Sequence, residues 1–463
     1  MAVAKMSGPC VVSWLLMAML LEGCGGGVYL EGPRVKALVA QGKYADAETL
    51  ARKATDELER TAGPNNPTTL GALLDLGWTL SIRGNYVEAE AVARRVLTGY
   101  ERIRLDSGPQ SMTEVMIIVA TDNLASALRD QGKYGEAETL NRRALAVTDS
   151  TTHFGVFREP ASVIYTRNLG RTLVLEAQFG EAEPLLRNAL TRLDRVRRDA
   201  RTRSAFDRLP GSDATTSLAI DEDLGVLLIK EGRYADGEAL LRNVVASSGQ
   251  SLGPNHPQTL LATSYLAWAL DVEGRFGESG SFHDRAVAGL EQEYGPVHPL
   301  VARAVSDSGY QAFKQGRPEQ GQAALERSLA IRRQSLRPQH PDIADSLSRL
   351  GEVRGARGDL TQAVDMLGQS LTIETESLGV DHPEVAITLT RLAVVHQAQG
   401  SYAAALGEIE RALAIQEKRL SPSHPDIIKT LEIQTRILQA LQQPERAVAV
   451  EAKARALREQ QRK

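Results

Sequence analysis

The stretch QGKYADAETL at residues 41–50 returns along the chain as RGNYVEAEAV at 83–92 and as QGKYGEAETL at 131–140. Further copies are AQFGEAEPLL at 177–186, EGRYADGEAL at 231–240 and EGRFGESGSF at 273–282, and weaker ones begin at residues 315, 357 and 399. From Gly232 to Gly400 the glycines of this phrase stand 42 residues apart. A fixed period of this size is typical of repeat proteins in which each repeat is one supersecondary unit.

A second phrase recurs in phase with the first. It is LGPNHP at 252–257, YGPVHP at 294–299, LRPQHP at 336–341, LGVDHP at 378–383 and LSPSHP at 420–425, with a relative, AGPNNP, at 62–67. Proline is tolerated at the first position of a helix because its missing N–H would have no partner there. Each His-Pro pair therefore predicts the start of a helix A, and the glycine of the first phrase predicts the turn to a helix B. Because the histidines stand one repeat apart, we predict that they cap helices and do not bind a metal.

Leucine and alanine recur at helical spacing between the two phrases, as in TLLATSYLAWAL at 259–270. An aromatic residue or leucine follows most turns by two residues, and we predict that it packs helix B onto helix A. Together these features resemble the tetratricopeptide repeat family, in the 42-residue form of kinesin light chains, over about residues 35–460. The resemblance implies an all-α, right-handed superhelical solenoid of about nine helix–turn–helix hairpins, with a concave groove that binds peptides or partner proteins.

The N-terminus predicts export. One positive charge, Lys5, precedes the apolar run CVVSWLLMAMLL at 10–21, which has the length of a signal-peptide core. Leu21, Gly23 and Cys24 resemble a bacterial lipobox, whereas Glu22 departs from it. We predict a signal peptide at 1–23, a lipidated Cys24 with a Gly-rich tether at 24–34, and the repeat array with a polar C-terminal capping helix at 35–463. The predicted location is the periplasmic or cell-surface side of a membrane, and the alternative is the cytoplasm.

The sequence offers no chemistry typical of an enzyme. It contains no P-loop, no G-x-G-x-x-G after a strand, no H-E-x-x-H and no nucleophile elbow. Its only cysteines, Cys10 and Cys24, precede the repeats, so a disulfide or a cysteine metal site is excluded from the folded body. The net charge of −4 does not favour nucleic acid. We therefore predict a protein that is not an enzyme and has no cofactor, metal or small-molecule substrate.

The candidate binding residues come from aligning the A helices on their small residue one turn before the end. In the family that the chain resembles, the residue two places earlier faces the groove. Asn123 and Asn168 would then suit the backbone of an extended peptide, and Arg349 and Arg391 an acidic segment or a C-terminal carboxylate. The complete row, which we call the groove row, is Asp75, Asn123, Asn168, Asp223, Tyr265, Asp307, Arg349 and Arg391. The leucine that follows most of these residues is predicted to be buried.

Two alternatives stay open. The groove row could be a solvated surface of varied composition and not a binding site. The segment 192–208, with seven arginines and three aspartates, could be a basic patch for an acidic partner or a long helix B with ion pairs such as Asp194–Arg198. The sequence thus predicts a scaffold or adaptor for a protein or peptide partner, anchored to a membrane through Cys24. The alternative is an intracellular regulatory repeat module that acts with a separate effector protein.

Overall fold

The computed structural model describes residues 31–108, 111–150, 155, 158–207 and 214–461. Within these ranges the chain forms 21 helices and no strand, which confirms the predicted all-α class. The helices are α1 (Gly32–Ala40), α2 (Tyr44–Ala62), α3 (Pro67–Ile82), α4 (Tyr86–Ser107), α5 (Ser111–Asp130), α6 (Tyr134–Ser150), α7 (Arg158–Leu175), α8 (Phe179–Arg198), α9 (Ala200–Asp207), α10 (Ala214–Lys230), α11 (Tyr234–Ser251), α12 (Pro257–Val272), α13 (Phe276–Tyr294), α14 (Pro299–Lys314), α15 (Pro318–Ser335), α16 (Pro341–Ala356), α17 (Leu360–Ser377), α18 (Pro383–Ala398), α19 (Tyr402–Arg419), α20 (Pro425–Ala440) and α21 (Pro444–Gln461).

The described helices pair into ten hairpins, each of a helix A and a helix B, and neighbouring hairpins stack on one another. In chain order, hairpins 1 to 10 are α1–α2, α3–α4, α5–α6, α7–α8, α10–α11, α12–α13, α14–α15, α16–α17, α18–α19 and α20–α21. The short α9 lies between hairpins 4 and 5. The sequence predicts about nine from the nine copies of its first phrase, and the tenth hairpin turns at Gln442, where the glycine of that phrase is absent. The predicted superhelical repeat fold is confirmed.

The His-Pro pairs begin the A helices as predicted. The five histidines are N-caps, and the Nδ1 atom of each accepts a hydrogen bond of 3.0–3.2 Å from the backbone N–H two residues later. Asn66 does the same in hairpin 2, where its Oδ1 accepts from Thr68 N at 2.9 Å. A side chain that caps a helix satisfies one of the amides that the first turn leaves without a partner.

The buried contact between the A and B helices follows the sequence pattern. The predicted leucines Leu76, Leu124, Leu169, Leu224, Leu266, Leu350 and Leu392 are all buried. The small residue beside them lets the two helices approach, since a Cβ on Gly170 would lie 2.8 Å from Leu186 and one on Gly351 would lie 2.7 Å from Leu367. The turns require a positive φ, which even the non-glycine residues Ala177 and Gln442 adopt at 55° and 56°.

Five hairpins complete one turn of the superhelix, so that hairpin 7 lies on hairpin 2. We call hairpins 1–5 the lower turn of the superhelix and hairpins 6–10 the upper turn. The contact between the turns is made by four of the five histidines that cap the A helices. Their Nε2 atoms lie within hydrogen-bond distance of the last carbonyl of an A helix in the turn below, a group that has no partner inside its own helix. We call these four contacts the histidine clasps: His298 with Ile82, His340 with Asp130, His382 with Leu175 and His424 with Lys230, at 2.9–3.2 Å.

Proline and aromatic side chains pack around the clasps. The rings of Tyr44 and Tyr294 are stacked with their centroids 5.6 Å apart, and Tyr86 packs against the hydrophobic core of hairpins 7 and 8 in the upper turn. In hairpins 1 and 2 these aromatic residues therefore also contact the upper turn, a contact that the sequence analysis did not predict. Single-repeat reasoning misses the contact because it joins residues about 200 positions apart in a chain whose repeats stack locally.

The long helix B predicted over 192–208 is broken. Helix α8 ends at Arg198, and Asp199 has an extended ψ of 117°. Its carboxylate accepts hydrogen bonds of 3.3 Å from the N–H groups of Arg201 and Thr202, which begins α9. Arg198 donates to the carbonyl oxygen of Asp194 and not to its carboxylate, so the predicted ion pair is not formed.

The N-terminal predictions lie outside the described residues. These are the signal peptide at 1–23, the lipidated Cys24 and most of the tether at 24–34. None of the described helices has both the length and the apolar content that crossing a bilayer requires.

Candidate functional site

The A helices of hairpins 3–10 surround a single cavity of about 1250 Å³. The groove predicted from the sequence is therefore a half-open cavity that has the upper turn of the superhelix on one side and the lower turn on the other. Residues on both turns line this cavity, from Tyr86 at the start of α4 to Ile433 in α20. Five members of the groove row are among the lining residues: Asp223, Tyr265, Asp307, Arg349 and Arg391.

The other three members of the groove row lie elsewhere. Asp75 is buried in α3, where it interacts electrostatically with Lys36. Asn123 borders a separate small pocket beside Leu73 and Trp78. Asn168 is buried and donates a hydrogen bond of 2.9 Å to Asp122 Oδ1. The same repeat position thus faces the cavity in hairpins 5–9 and the packed interior in hairpins 2–4.

Arg349 already has two partners inside the chain. Its Nη1 donates to Asp307 Oδ1 at 2.8 Å and its Nε to Asp345 Oδ1 at 2.7 Å. Burial alone would raise the pKa of Asp345, but Arg349 and Arg332 outweigh burial and hold that pKa well below its usual range. Asp345 is therefore ionised at neutral pH, and Arg349 neutralises charge within the protein.

Arg391 is engaged in the same way one hairpin later. Its Nε donates to Glu352 Oε2 at 2.7 Å and its Nη1 to Ser348 Oγ at 2.8 Å. Burial favours the neutral form of Glu352, but Arg391 and Lys314 outweigh it and lower the pKa of Glu352 to about 2. The two arginines that the sequence proposed for a ligand carboxylate are thus occupied by carboxylates of the chain itself.

Two tyrosines organise the cationic side chains of the cavity. The guanidinium of Arg303 lies 3.9 Å from the ring centroid of Tyr265 and donates to its hydroxyl at 2.6 Å. Arg349 and Lys314 lie 5.1 and 4.9 Å from the ring centroid of Tyr310. Cation–π contacts of this length hold the cations in place and keep the ring face occupied.

The sequence analysis did not identify four further residues that line the cavity. Arg303 and Asp345 stand four residues before members of the groove row, and Tyr310 and Glu352 stand three residues after them. Residues three and four apart share one face of a helix, so this spacing was the signal that could have found them.

The floor of the cavity near hairpin 5 is a shared ion cluster. Arg167 Nε donates to Asp223 Oδ2 at 2.7 Å, and Arg171 Nε lies 3.8 Å from the other oxygen of Asp223. Burial, helped by Asp223, raises the pKa of the neighbouring Glu222 to about 7. The charged side chains of the cavity wall are thus paired with one another, which suits hydrogen bonding to a ligand better than capture of one strong charge.

In sequence, the tetratricopeptide repeat model matches residues 34–102, 305–376, 342–418 and 384–460, and a second tetratricopeptide repeat model matches residues 118–148 and 222–258. Together these matches cover more than half of the chain, which belongs to the tetratricopeptide repeat family. The fold and the family define a helical repeat scaffold for protein–protein interaction. No curated protein matches the chain in sequence.

Solved structures with similar folds include a Rap protein in complex with Competence and Sporulation Factor, at a TM-score of 0.59 and 12% identity, covering 84% of this chain and 98% of that one. The nearly identical TPR-like repeats of a protein assigned as a Podosopora anserina kinesin light chain are 26% identical, with a TM-score of 0.36 over 44% of this chain and 98% of that one. BtubC (BKLC) from P. vanneervenii is 19% identical, with a TM-score of 0.40 over 53% of this chain and 92% of that one. The likeness to the Rap protein extends over most of both chains and concerns the fold.

Proposed function

We propose that this chain is a non-catalytic adaptor that holds an extended segment of a partner protein inside its superhelix. The observation that carries the proposal is the cavity of about 1250 Å³ between the two turns of the superhelix. Small-molecule sites span roughly 300–1,000 Å³, so this volume favours a peptide. The Rap protein with the same overall fold was solved in a complex with Competence and Sporulation Factor, which supports a scaffold of this shape as a binder.

The internal ion pairs indicate which residues contact the partner. Because Arg349 and Arg391 neutralise carboxylates of the chain, the partner contacts fall on lining residues that are still accessible. Val394 on α18 lines the cavity with 43% of its surface exposed, and Thr390 lies one helical turn before it. A mixed apolar and hydrogen-bonding surface of this kind suits an extended peptide, whose backbone supplies donors and acceptors and whose side chains supply apolar area.

Filling the cavity tests this proposal. We expect Val394→Arg to weaken retention of the partner by at least about tenfold, since it places a long, unpaired cation where the peptide would lie. The measurement is affinity capture on the immobilised full-length chain, quantified by mass spectrometry. The matched control is Val448→Arg, the same substitution at a residue of α21 that is 66% exposed and is not among those that line the cavity.

The control variant should retain partners as the unchanged chain does, and far-UV circular dichroism should show equal helix content in all three proteins. Partners retained equally by both arginine variants would place the contact on another surface and contradict the proposal. In that case the arginine-rich segment of α8 and α9 would be the next surface to test.

Membrane attachment through Cys24 is the second part of the proposal, supported by the lipobox-like Leu21-Glu22-Gly23-Cys24 and the glycines that follow. We expect radiolabelled palmitate to be incorporated into the full-length chain in a bacterial host. Cys24→Ser should abolish the label and Cys10→Ser should leave it unchanged. A cytoplasmic, unlabelled protein with intact Met1 would contradict anchoring and favour the intracellular regulatory module that acts with a separate effector.

A further inference from the structure

Each of the four histidine clasps uses both nitrogens of a neutral imidazole. Nδ1 has no proton, because it accepts a hydrogen bond from the backbone N–H that it caps. The single proton is therefore on Nε2, which donates it to the last carbonyl of an A helix in the lower turn. One side chain thus caps the start of one helix and the end of another.

The clasps also draw the backbone of the two turns together. The Cδ atom of Pro341, beside His340, lies so close to Gly132 that a Cβ on that glycine would be 2.3 Å away. Arg337 donates from Nε to the carbonyl oxygen of Gln131 at 2.8 Å, across the same boundary. The closure of the cavity therefore depends on a narrow row of contacts between hairpins 2–5 and hairpins 7–10.

We propose that the four histidine clasps are an acid-released latch that holds the upper turn of the superhelix on the lower one and so controls access to the cavity. The role in access rests on the proposed function of the cavity, whereas the release by acid does not. The upper turn is held by the lower turn of the same chain, and protonation of the histidines is the signal that releases it.

The geometry explains why a proton would open the latch. A proton on Nδ1 would point at the backbone N–H that this nitrogen now accepts from, so the cation cannot keep the capping bond. Burial lowers the pKa of His298 and of His382 to about 4, and it lowers the pKa of His340 and of His424 in the same direction. Because these pKa values are lower in the closed form, the clasps stabilise closure above pH 6.5, and this contribution is lost as the pH falls toward 4.

The charged neighbours of the clasps modulate this effect without reversing its direction. Carboxylates favour the imidazolium and cations oppose it, and burial exceeds both at each of the four histidines. The titratable neighbour of His298 is Tyr294, with Tyr44 and Glu293 beyond it. The charged neighbours of His340 are Asp342, Arg332 and Arg337, and those of His382 are Glu384, Lys230 and Arg419. Those of His424 are Asp426 and Lys429.

Other buried groups titrate in a different pH range, or their protonation stabilises the folded form instead of destabilising it. Burial raises the pKa of Glu222 to about 7 and that of Glu374 to about 8, so acid stabilises the folded form at these two residues. The contribution of Glu352, whose pKa is lowered to about 2, is lost only as the pH falls below its usual value of 4.5. Between pH 7.5 and pH 5 the protonation of Glu222 and Glu374 therefore opposes opening, whereas protonation of the histidines favours it.

The distance across the first clasp is the direct test. Val87 and Val297 are 56% and 45% exposed and stand close in sequence to the two sides of the contact between Ile82 and His298. Spin labels at Val87→Cys and Val297→Cys, in the full-length chain with Cys10→Ser and Cys24→Ser, would report this distance by pulsed electron paramagnetic resonance. Between pH 7.5 and pH 5 we expect the ratio of open to closed molecules to rise by about 30-fold for each of His298 and His382, with unchanged helix content.

The matched control is the fourfold variant His298→Asn, His340→Asn, His382→Asn, His424→Asn. The chain itself shows that asparagine can cap such a helix, since Asn66 does so in hairpin 2. Asparagine does not titrate, so the variant should give the same distance at pH 7.5 and pH 5, whether closed or open. A distance in the unchanged chain that does not respond to pH, or an equal response in the asparagine variant, would overturn the latch. Neither result depends on partner capture, so the latch and the adaptor function can fail separately.

Discussion

Replacement of Arg349 by methionine will lower the free energy of unfolding by about 3–5 kcal/mol, which is the usual cost of removing one partner from a buried ion pair. The substitution keeps most of the aliphatic volume but leaves Asp307 and Asp345 without the guanidinium that bonds to both at 2.7–2.8 Å. It also removes one of the cations over the ring of Tyr310. The expected loss is therefore electrostatic and not a packing defect. Urea denaturation followed by circular dichroism measures it.

The same substitution on the outer surface provides the control. Arg327 pairs with Glu291, and both side chains are partly exposed to solvent. Exposed pairs contribute roughly 0–1 kcal/mol, so Arg327→Met should change stability little. Equal, small losses in the two variants would show that Arg349 is not needed by its internal partners. Arg349 would then be free for a ligand carboxylate, as the sequence predicts.

Gly132→Ala is the second substitution with a large expected effect, and it should lower the free energy of unfolding by about 2–5 kcal/mol in total. Gly132 has a φ of +73°, which costs an L-residue roughly 1–2 kcal/mol. A Cβ at this place would also lie 2.3 Å from Cδ of Pro341 in the upper turn, and overpacking adds about 1–3 kcal/mol. The clash lies at the contact between the two superhelical turns, so the substitution should loosen the clasp of His340 with Asp130.

Gly400→Ala separates these two contributions. Gly400 occupies the same turn in hairpin 9 with a φ of +77°, and its missing Cβ would meet no atom within 4 Å. Alanine at position 400 adds only the conformational cost of the positive φ, so the free energy of unfolding of this variant should fall by about 1–2 kcal/mol. Hydrogen exchange would locate the difference, with faster exchange around residues 337–345 expected for Gly132→Ala alone. Equal behaviour of the two variants would mean that the turns of the superhelix do not press on each other at this point.

Repeat-level features of this protein follow from the sequence alone. The helix starts at His-Pro, the turns at positive φ and the buried leucines beside them all depend on contacts within a repeat or between neighbours. Such contacts recur every 42 residues, and each recurrence is an independent copy of the same evidence. For this reason the family, the helix starts at His-Pro and the buried leucines could be predicted without coordinates.

The candidate site was predictable only in part. The groove row located five residues that do line the cavity, but it also included Asn168, which is buried against Asp122. It proposed Arg349 and Arg391 as ligand contacts without their internal partners, because Asp307 lies one full repeat away from Arg349 and Glu352 lies 39 residues before Arg391. The repeat period shows which positions are equivalent, but it does not show which neighbouring side chains form ion pairs with the charged residues at those positions.

What the sequence by itself determined is the local unit: a helix–turn–helix hairpin with its caps, its small-residue contact and its buried leucine. What only the tertiary structure decided is the superhelical turn of five hairpins, through which His298 meets Ile82 from 216 positions away and both turns come to line one cavity. The physical reason is that this turn is the sum of small rotations between neighbouring hairpins. Each rotation is set by side-chain packing that the repeat pattern does not record.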